Sequence, residues 1–144
     1  FPYTTLFRSA SYFDAEPYQR EGLLELHNWF LSDEEMAGFI TNALFVVCPY
    51  IDATQSGVIM SAFALGKPVI ATATGGLPEM VEDGRHGLIV PPKDSQALAK
   101  AIEKLLSDRQ RLSQMSENIM ADYHQGKFSW HDIADQYASV YSAI

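Results

Sequence analysis

Short apolar runs alternate with helical patterns along most of the chain, and this alternation limits the fold more than any other feature. The runs Leu44–Cys48 and Pro68–Thr72 are apolar on both faces, as strands are when helices cover both sides of a parallel sheet. Two more runs, Leu24–Phe30 and Gly87–Val90, complete the candidate strands. The sequence therefore predicts an α/β fold in which helices flank a parallel sheet.

Residues suited to cap helix N-termini precede four predicted helices: Ser32, Ser56, Asp94 and Ser129. The first helix runs through about Asn42, and a capping-box glutamate three residues after the cap supports it. The second covers Gly57–Leu65 and is ended by Gly66 and Pro68. Residues 108–123 continue helically, so the last third of the chain is predicted to be helical throughout.

The charge balance excludes several classes of partner. The chain has 144 residues, with 10 Lys+Arg against 18 Asp+Glu, and its net charge of −8 disfavours nucleic-acid binding. No run reaches the roughly 20 apolar residues of a membrane helix.

The single cysteine, Cys48, excludes an intramolecular disulfide and is predicted to be a buried small apolar group, which fits the reducing cytoplasm. No metal site is expected, because the histidines have no carboxylate at a ligand spacing: His27, His86, His124 and His131.

The first nine residues, FPYTTLFRS, show no pairing or capping pattern that relates them to the rest of the chain. They resemble a translated sequencing adapter. We therefore expect residues 1–9 to be a non-native tail and residues 10–144 to be a domain truncated upstream. An ordinary N-terminus is the alternative.

A polar loop comes after the strand that ends at Cys48, and the next helix begins at Gly57. Ligands of open parallel sheets bind beyond the carboxyl ends of the strands. Ser56 is a good N-cap and Gly57 permits close approach, so free amides at this helix end predict an anion site without Lys or Arg. The alternative is a strand, loop and helix without a ligand. Lys67 lies at the opposite edge and is given no catalytic role.

Two segments carry a resemblance to a known family: GKPVIATATGGLPEMVEDGRHGLIVPPKD and, near the end, FSWHDIADQYASVY. Over Leu24–Ile144 the chain resembles the C-terminal half of a family 4 glycosyltransferase of the two-domain GT-B fold, in which a Rossmann-like sheet is followed by C-terminal helices. The resemblance implies a UDP- or GDP-type sugar donor, transfer with retention, and neither metal nor cofactor. It also implies a glycan or lipid-linked acceptor held by an N-terminal domain that this chain lacks, as in bacterial polysaccharide biosynthesis.

The chain departs from that family at two glutamates, whose places are taken by Ala53 and Ser61. It resembles a variant with a Thr-Gln-Ser-Gly loop instead. In that variant Thr54 and Gln55 face the sugar or phosphates, the amides of Ser56 and Gly57 hold the diphosphate, and Ser61 binds the ribose. The candidates for a catalytic role are Asp52, which would require the loop to shift, and Gln55.

The resemblance also extends to neighbouring positions. Thr74, Gly75 and Gly76 come after the next strand and either contact donor or acceptor or only shape a tight turn. Base recognition is expected near Trp29, Phe30 and Leu31, although Trp29 is favoured as a core residue.

Two other functions remain as alternatives, a non-catalytic nucleotide-binding module and an inactive truncation product. The full enzyme is expected in the cytoplasm, and its peripheral association with the inner face of the membrane is left open. In the family that the chain resembles, the last helix can cross back to the N-terminal domain, so exposed aromatic residues near Trp130 are expected to mark that contact.

Overall fold

The computed structural model describes residues 4–7, 21, 24–27, 31–126 and 129–142. The chain divides into two compact units, one extending to Phe39 and the other beginning at Ile40. Trp29 and Phe30, predicted to end the first strand and to lie near the base, fall outside the described residues.

The first unit contains two parallel strands, β1 (Thr4–Phe7) and β2 (Leu24–His27), in a sheet of their own. The sequence shows no pairing pattern in the first nine residues, yet the structure pairs β1 with β2, and Thr4 is opposite Leu24 in this ladder. That these residues are non-native is a separate statement, and it stays a prediction.

Helix α1 (Asp33–Asn42) has the boundaries that the sequence predicts. The amide of Glu35 donates to Ser32 Oγ at 3.2 Å, and the Ser32 amide donates to Glu35 Oε2 at 2.8 Å. This reciprocal pair confirms the predicted capping box.

The second unit is built on a parallel sheet of three strands in the order β3 (Val46–Cys48), β4 (Val69–Thr72) and β5 (Gly87–Val90). All four residues of β4 are buried, as its apolar sequence predicts for a central strand. β3 is two residues shorter than predicted and lies at the edge of this sheet. Because all three strands are parallel, the loops after Cys48 and Thr72 leave the same edge.

The four longer helices of the second unit occur in the predicted order, and the short α3 lies among them: α2 (Gly57–Ala64), α3 (Leu77–Met80), α4 (Ser95–Ser107), α5 (Arg109–Ile119) and α6 (Trp130–Ser142). Gly66, just after α2, has a φ of +66°, the left-handed conformation expected of a helix-ending glycine. The helix predicted to continue to Tyr123 changes at Met120–Gln125 into a π-helix. This change places Asp122 and Tyr123 against the segment between α3 and β5.

One face of the three-stranded sheet packs against α4 and α5. The buried residues of this core come from β4, β5 and the two helices: Ile70, Leu88, Val90, Ala101, Leu105, Leu112 and Met115. From α2, Ile59, Ala62 and Phe63 have no exposed surface. The apolar runs of β4 and β5 and the apolar stripes of α2, α4 and α5 thus form the core, as their spacing predicts.

Helix α6 differs from the other long helices because none of its side chains is buried. Its large exposed side chains are Trp130, Tyr137, Val140 and Tyr141. Among the described residues no helix combines the length and the low charge that crossing a bilayer would require.

Candidate functional site

Two loops meet at the carboxyl edge of the three-stranded sheet. We call residues 49–56, between β3 and α2, the anion loop, and residues 73–76, between β4 and α3, the support loop. Asp52, Thr54 and Gln55 lie in the anion loop with exposed side chains. No hydrogen bond of these three side chains occurs among the residues that the structure describes. They are therefore available to a ligand.

The N-terminus of α2 leaves two backbone donors free. Ser56 is the N-cap, and its Oγ accepts from the amide of Ile59 at 3.3 Å. The amide of Met60 donates to the Ser56 carbonyl at 3.3 Å. Within the described part of the chain, the amides of Gly57 and Val58 donate to no protein group. Since Gly57 is exposed, these two amides can donate hydrogen bonds to a bound anion, and the positive end of the helix dipole also favours its binding.

Ser61 lies one turn after Gly57 on the same side of α2 and is half-buried. The structure thus places the predicted donor-binding residues Thr54, Gln55, Ser56, Gly57 and Ser61 together, along the anion loop and the first turns of one helix. What they bind remains a prediction.

The support loop is bound to the anion loop through backbone carbonyls of the latter. Thr74 Oγ1 donates to the Ile51 carbonyl at 3.1 Å, and the Gly76 amide donates to the Thr54 carbonyl at 3.0 Å. The hydroxyl of Thr72, the last residue of β4, donates to the Tyr50 carbonyl at 2.6 Å. Three backbone carbonyls of the anion loop, those of Tyr50, Ile51 and Thr54, therefore accept hydrogen bonds from protein donors.

The backbones of the two loops approach so closely that positions 75 and 76 of the support loop must be glycine. A Cβ on Gly75 would lie 1.6 Å from the Ala53 carbonyl oxygen, and Gly75 has a φ of +49°. A Cβ on Gly76 would lie 2.6 Å from the Thr54 oxygen. The geometry therefore supports the turn-shaping role of Gly75 and Gly76, while a contact of these residues or of Thr74 with donor or acceptor stays a prediction.

Cys48 ends β3 directly behind the anion loop and is a buried free thiol, as predicted. Burial is the main cause that raises its pKa to about 11 from an ordinary value of 9.0, and hydrogen bonds from Tyr50 and Ser56 oppose it. The thiol therefore keeps its proton at neutral pH.

We expect Cys48 to react with iodoacetamide about 100-fold more slowly in the native chain than in urea at pH 8. The two-unit rise in its pKa lowers the thiolate fraction by that factor, and only the thiolate is nucleophilic. Because the chain has one cysteine, mass spectrometry of the alkylated protein measures the rate directly. Equal rates in the two states would show that the thiol is exposed.

The expectation that the histidines lack carboxylate partners is wrong for three of them. His86 Nε2 lies 2.8 Å from Asp122 Oδ2, His27 Nε2 lies 2.6 Å from Glu25, and His131 Nε2 lies 3.7 Å from Asp135. The partner of His86 is 36 residues away in the chain, so no local spacing indicates it. The two side chains meet because the π-helix places Asp122 beside the turn before β5.

His86 belongs to a network at the opposite edge of the sheet. Arg85 donates from Nε and Nη2 to the two oxygens of Asp122 at 2.8 and 2.9 Å. The Glu82 amide lies 3.4 Å from His86 Nδ1, so Nδ1 accepts and Nε2–H donates to Asp122. The Tyr123 hydroxyl donates to the Met80 carbonyl at 2.8 Å. The network ties the π-helix to the segment between α3 and β5.

Glu82, His86 and Asp122 each offer a ligand atom within 4.8 Å of the others, a grouping that sequence spacing does not indicate. Arg85 already bonds to both oxygens of Asp122 and lies 3.9 Å from Glu82. A metal ion would have to displace this guanidinium. The arrangement therefore fits an internal ion pair better than a metal site.

Lys67 lies at this opposite edge too, where its Nζ donates to the Ala43 carbonyl at 3.0 Å, just before β3. Its partner is thus a backbone carbonyl just after α1.

The comparisons with known proteins decide the family. A family model described as "Glycosyl transferases group 1" matches residues 14–108, well over half of the chain. The chain belongs to the group 1 glycosyl transferases.

Named relatives agree with this assignment. The chain is 35% identical over 111 residues to a D-inositol 3-phosphate glycosyltransferase from Corynebacterium urealyticum, which covers 77% of this chain and 26% of the relative. It resembles the structure of sucrose-phosphate synthase from Thermosynechococcus elongatus with a TM-score of 0.71 and 30% identity over 89% of this chain and 32% of that one. Its similarity to Anabaena HepE, solved in complex with UDP, has a TM-score of 0.73 and 25% identity over 97% of this chain and 40% of that one.

The α/β sheet with flanking helices is thus that of the C-terminal domains of GT-B glycosyltransferases, as the resemblance implied. The chain spans about a quarter of the length of curated relatives such as the inositol phosphate enzyme.

Proposed function

We propose that this group 1 glycosyl transferase chain binds the diphosphate of a nucleotide-sugar donor at the anion loop and the first turn of α2. The observation that carries the proposal is the pair of amides at Gly57 and Val58, which donate to no protein group among the described residues and lie at the positive end of the helix. Thr54 and Gln55 extend the same surface toward the sugar or phosphates. The UDP bound in the structure of the HepE relative supports a nucleotide ligand of this kind.

In the full-length enzyme the same amides would stabilise the leaving diphosphate. Negative charge accumulates on that group as the glycosidic bond to the donor breaks, and fixed backbone donors stabilise it without reorganisation. The family 4 resemblance supports retention of anomeric configuration and an acceptor, glycan or lipid-linked, held by the part of the protein outside this chain. We assign the reaction to the cytoplasm and to polysaccharide biosynthesis on the same resemblance.

A second candidate function is favoured by the substitution of the two family glutamates. Ala53 and Ser61 offer no carboxylate, and Ser61 gives the ribose a neutral hydrogen bond, roughly half as strong as a charged one. This observation favours a non-catalytic nucleotide-binding module. Both functions require donor binding, so only turnover by the full-length protein distinguishes them. Asp52 and Gln55 are the candidate catalytic residues whose replacement would test that turnover.

Titration of the ¹⁵N-labelled chain with UDP and GDP tests donor binding. We expect amide shifts at Gln55, Gly57 and Val58 at submillimolar to millimolar nucleotide, and smaller ones at Ser61. The nucleosides uridine and guanosine are the controls, since they lack the diphosphate. Absence of shifts at these amides with millimolar UDP and GDP would contradict the proposal.

Gly57→Ala separates a ligand requirement from a folding requirement. A Cβ at Gly57 meets nothing within 4 Å in the protein, so stability should be unchanged or slightly higher. The methyl group would stand beside the two free amides, and we expect UDP affinity to fall at least tenfold. Calorimetric titration and thermal unfolding measure the two effects, and unaltered UDP affinity would place the diphosphate elsewhere.

A further inference from the structure

Tyr50 lies in the anion loop but is none of the residues that the sequence assigns to the ligand. It is half-buried, and its backbone carbonyl accepts the Thr72 hydroxyl at 2.6 Å. Its own hydroxyl lies 3.2 Å from Ser56 Oγ. Burial raises the pKa of Tyr50 above its ordinary value, so this hydroxyl keeps its proton at neutral pH. The residue therefore links β4 to the N-cap of α2.

The N-cap serine has two alternatives at the start of a helix. A capping oxygen accepts from the second or the third amide of the first turn, which here belong to Val58 and Ile59. Ser56 Oγ accepts from Ile59 at 3.3 Å. Capping Val58 instead would occupy one of the two amides that the proposed anion site needs.

We propose that Tyr50 is a positioning residue whose hydroxyl holds Ser56 Oγ on the Ile59 amide and thereby keeps the Val58 amide free for the diphosphate. The bond restricts the rotation of the Ser56 side chain, whose Oγ lies 3.2 Å from the Tyr50 hydroxyl and accepts from the Ile59 amide, while the Cys48 thiol also shares hydrogen bonds with both hydroxyls. The backbone bond from Thr72 keeps Tyr50 in place for this contact. The proposal rests on the proposed function, since a free Val58 amide matters only if an anion binds there.

Tyr50→Phe removes the hydroxyl and leaves the ring, and Tyr137→Phe on the exposed face of α6 is the matched control. Hydrogen exchange of the ligand-free chain provides the first readout. In Tyr50→Phe we expect the Ile59 amide to exchange faster and the Val58 amide to exchange more slowly, each by severalfold. A loop that is merely loosened would make both amides exchange faster.

Ligand binding provides the second readout, with UDP and inorganic pyrophosphate as the probes. Loss of one of two free amides should weaken both probes about three- to tenfold. In a Ser56→Gly background no hydroxyl competes for Val58, so adding Tyr50→Phe should leave affinity unchanged within twofold. Glycine is an acceptable N-cap, so this background should fold.

The outcomes separate the two proposals. Exchange changes of opposite sign, weaker binding by Tyr50→Phe and no further loss in the Ser56→Gly background support the positioning role. Parallel or absent exchange changes overturn it, and so does an equal loss of affinity in both backgrounds. If the unaltered chain binds neither probe, the proposed function fails, while the exchange experiment still decides whether Tyr50 selects the capped amide.

Discussion

Gly75→Ala is expected to destabilise the chain by at least about 2 kcal/mol and to abolish measurable UDP binding. The added Cβ would stand 1.6 Å from the Ala53 carbonyl oxygen, so the two loops cannot keep their present contact. The left-handed backbone at this position adds roughly 1 kcal/mol for a residue with a side chain. Urea unfolding and calorimetric titration with UDP measure both effects.

The contrast with two other glycines is the control for this experiment. Gly57→Ala should weaken UDP binding at least tenfold without losing stability, whereas Gly75→Ala should lose both UDP binding and stability. Gly38, inside α1, meets nothing within 4 Å, so Gly38→Ala should be neutral or stabilising by up to about 1 kcal/mol. Unchanged stability of Gly75→Ala would mean that close contact with the support loop does not hold the anion loop in place.

Asp122→Ala should lower the free energy of unfolding by about 2 to 3 kcal/mol, because it leaves the buried Nε2–H of His86 without its acceptor. It also removes both bonds that Arg85 makes to the carboxylate. For a domain of this size the loss corresponds to a fall in Tm of roughly 5 to 10 °C. Asp135→Ala is the matched control, since Asp135 is 71% exposed and its histidine is 3.7 Å away.

The pH dependence of this loss has a defined direction. The hydrogen bonds from Arg85 are the main reason why the pKa of Asp122 lies well below its usual range, and those from His86 contribute. A lowered folded pKa stabilises the chain above the unfolded value of about 3.9, and that contribution fades as the pH falls toward the folded pKa. The stabilisation that comes from the ionised Asp122 carboxylate should therefore persist from neutral pH down to about pH 5 and decline as the pH falls below about 3.9. Loss of this stabilisation already below pH 6 would contradict this role of Asp122.

The sequence predicts the helices and strands from α1 onward well because local signals define them. Ser32, Ser56, Asp94 and Ser129 are suitable caps wherever they stand, and each does precede a helix. β5 has the predicted bounds, and β4 differs by one residue. The prediction for strand β3 is two residues too long, because Leu44 and Phe45 are apolar for packing against the core rather than for pairing.

The candidate site is predictable only in part. The N-terminus of α2 can be predicted from Ser56 and Gly57, since a capping side chain and a glycine both act on the backbone within a few residues. Contacts between loops cannot be read in this way. Nothing local indicates that Thr72 bonds to the Tyr50 carbonyl or that Gly75 has no room for a Cβ, because each partner is more than 20 residues away.

The bonds between the anion loop and the support loop also restrict how the protein can change. Because the support loop and the end of β4 meet carbonyls at Tyr50, Ile51 and Thr54 in a fixed order, neither loop can gain or lose a residue without shifting the other. Altered substrate preference would then have to arise through exchanged side chains at constant loop length, or through paired insertions in both segments at once.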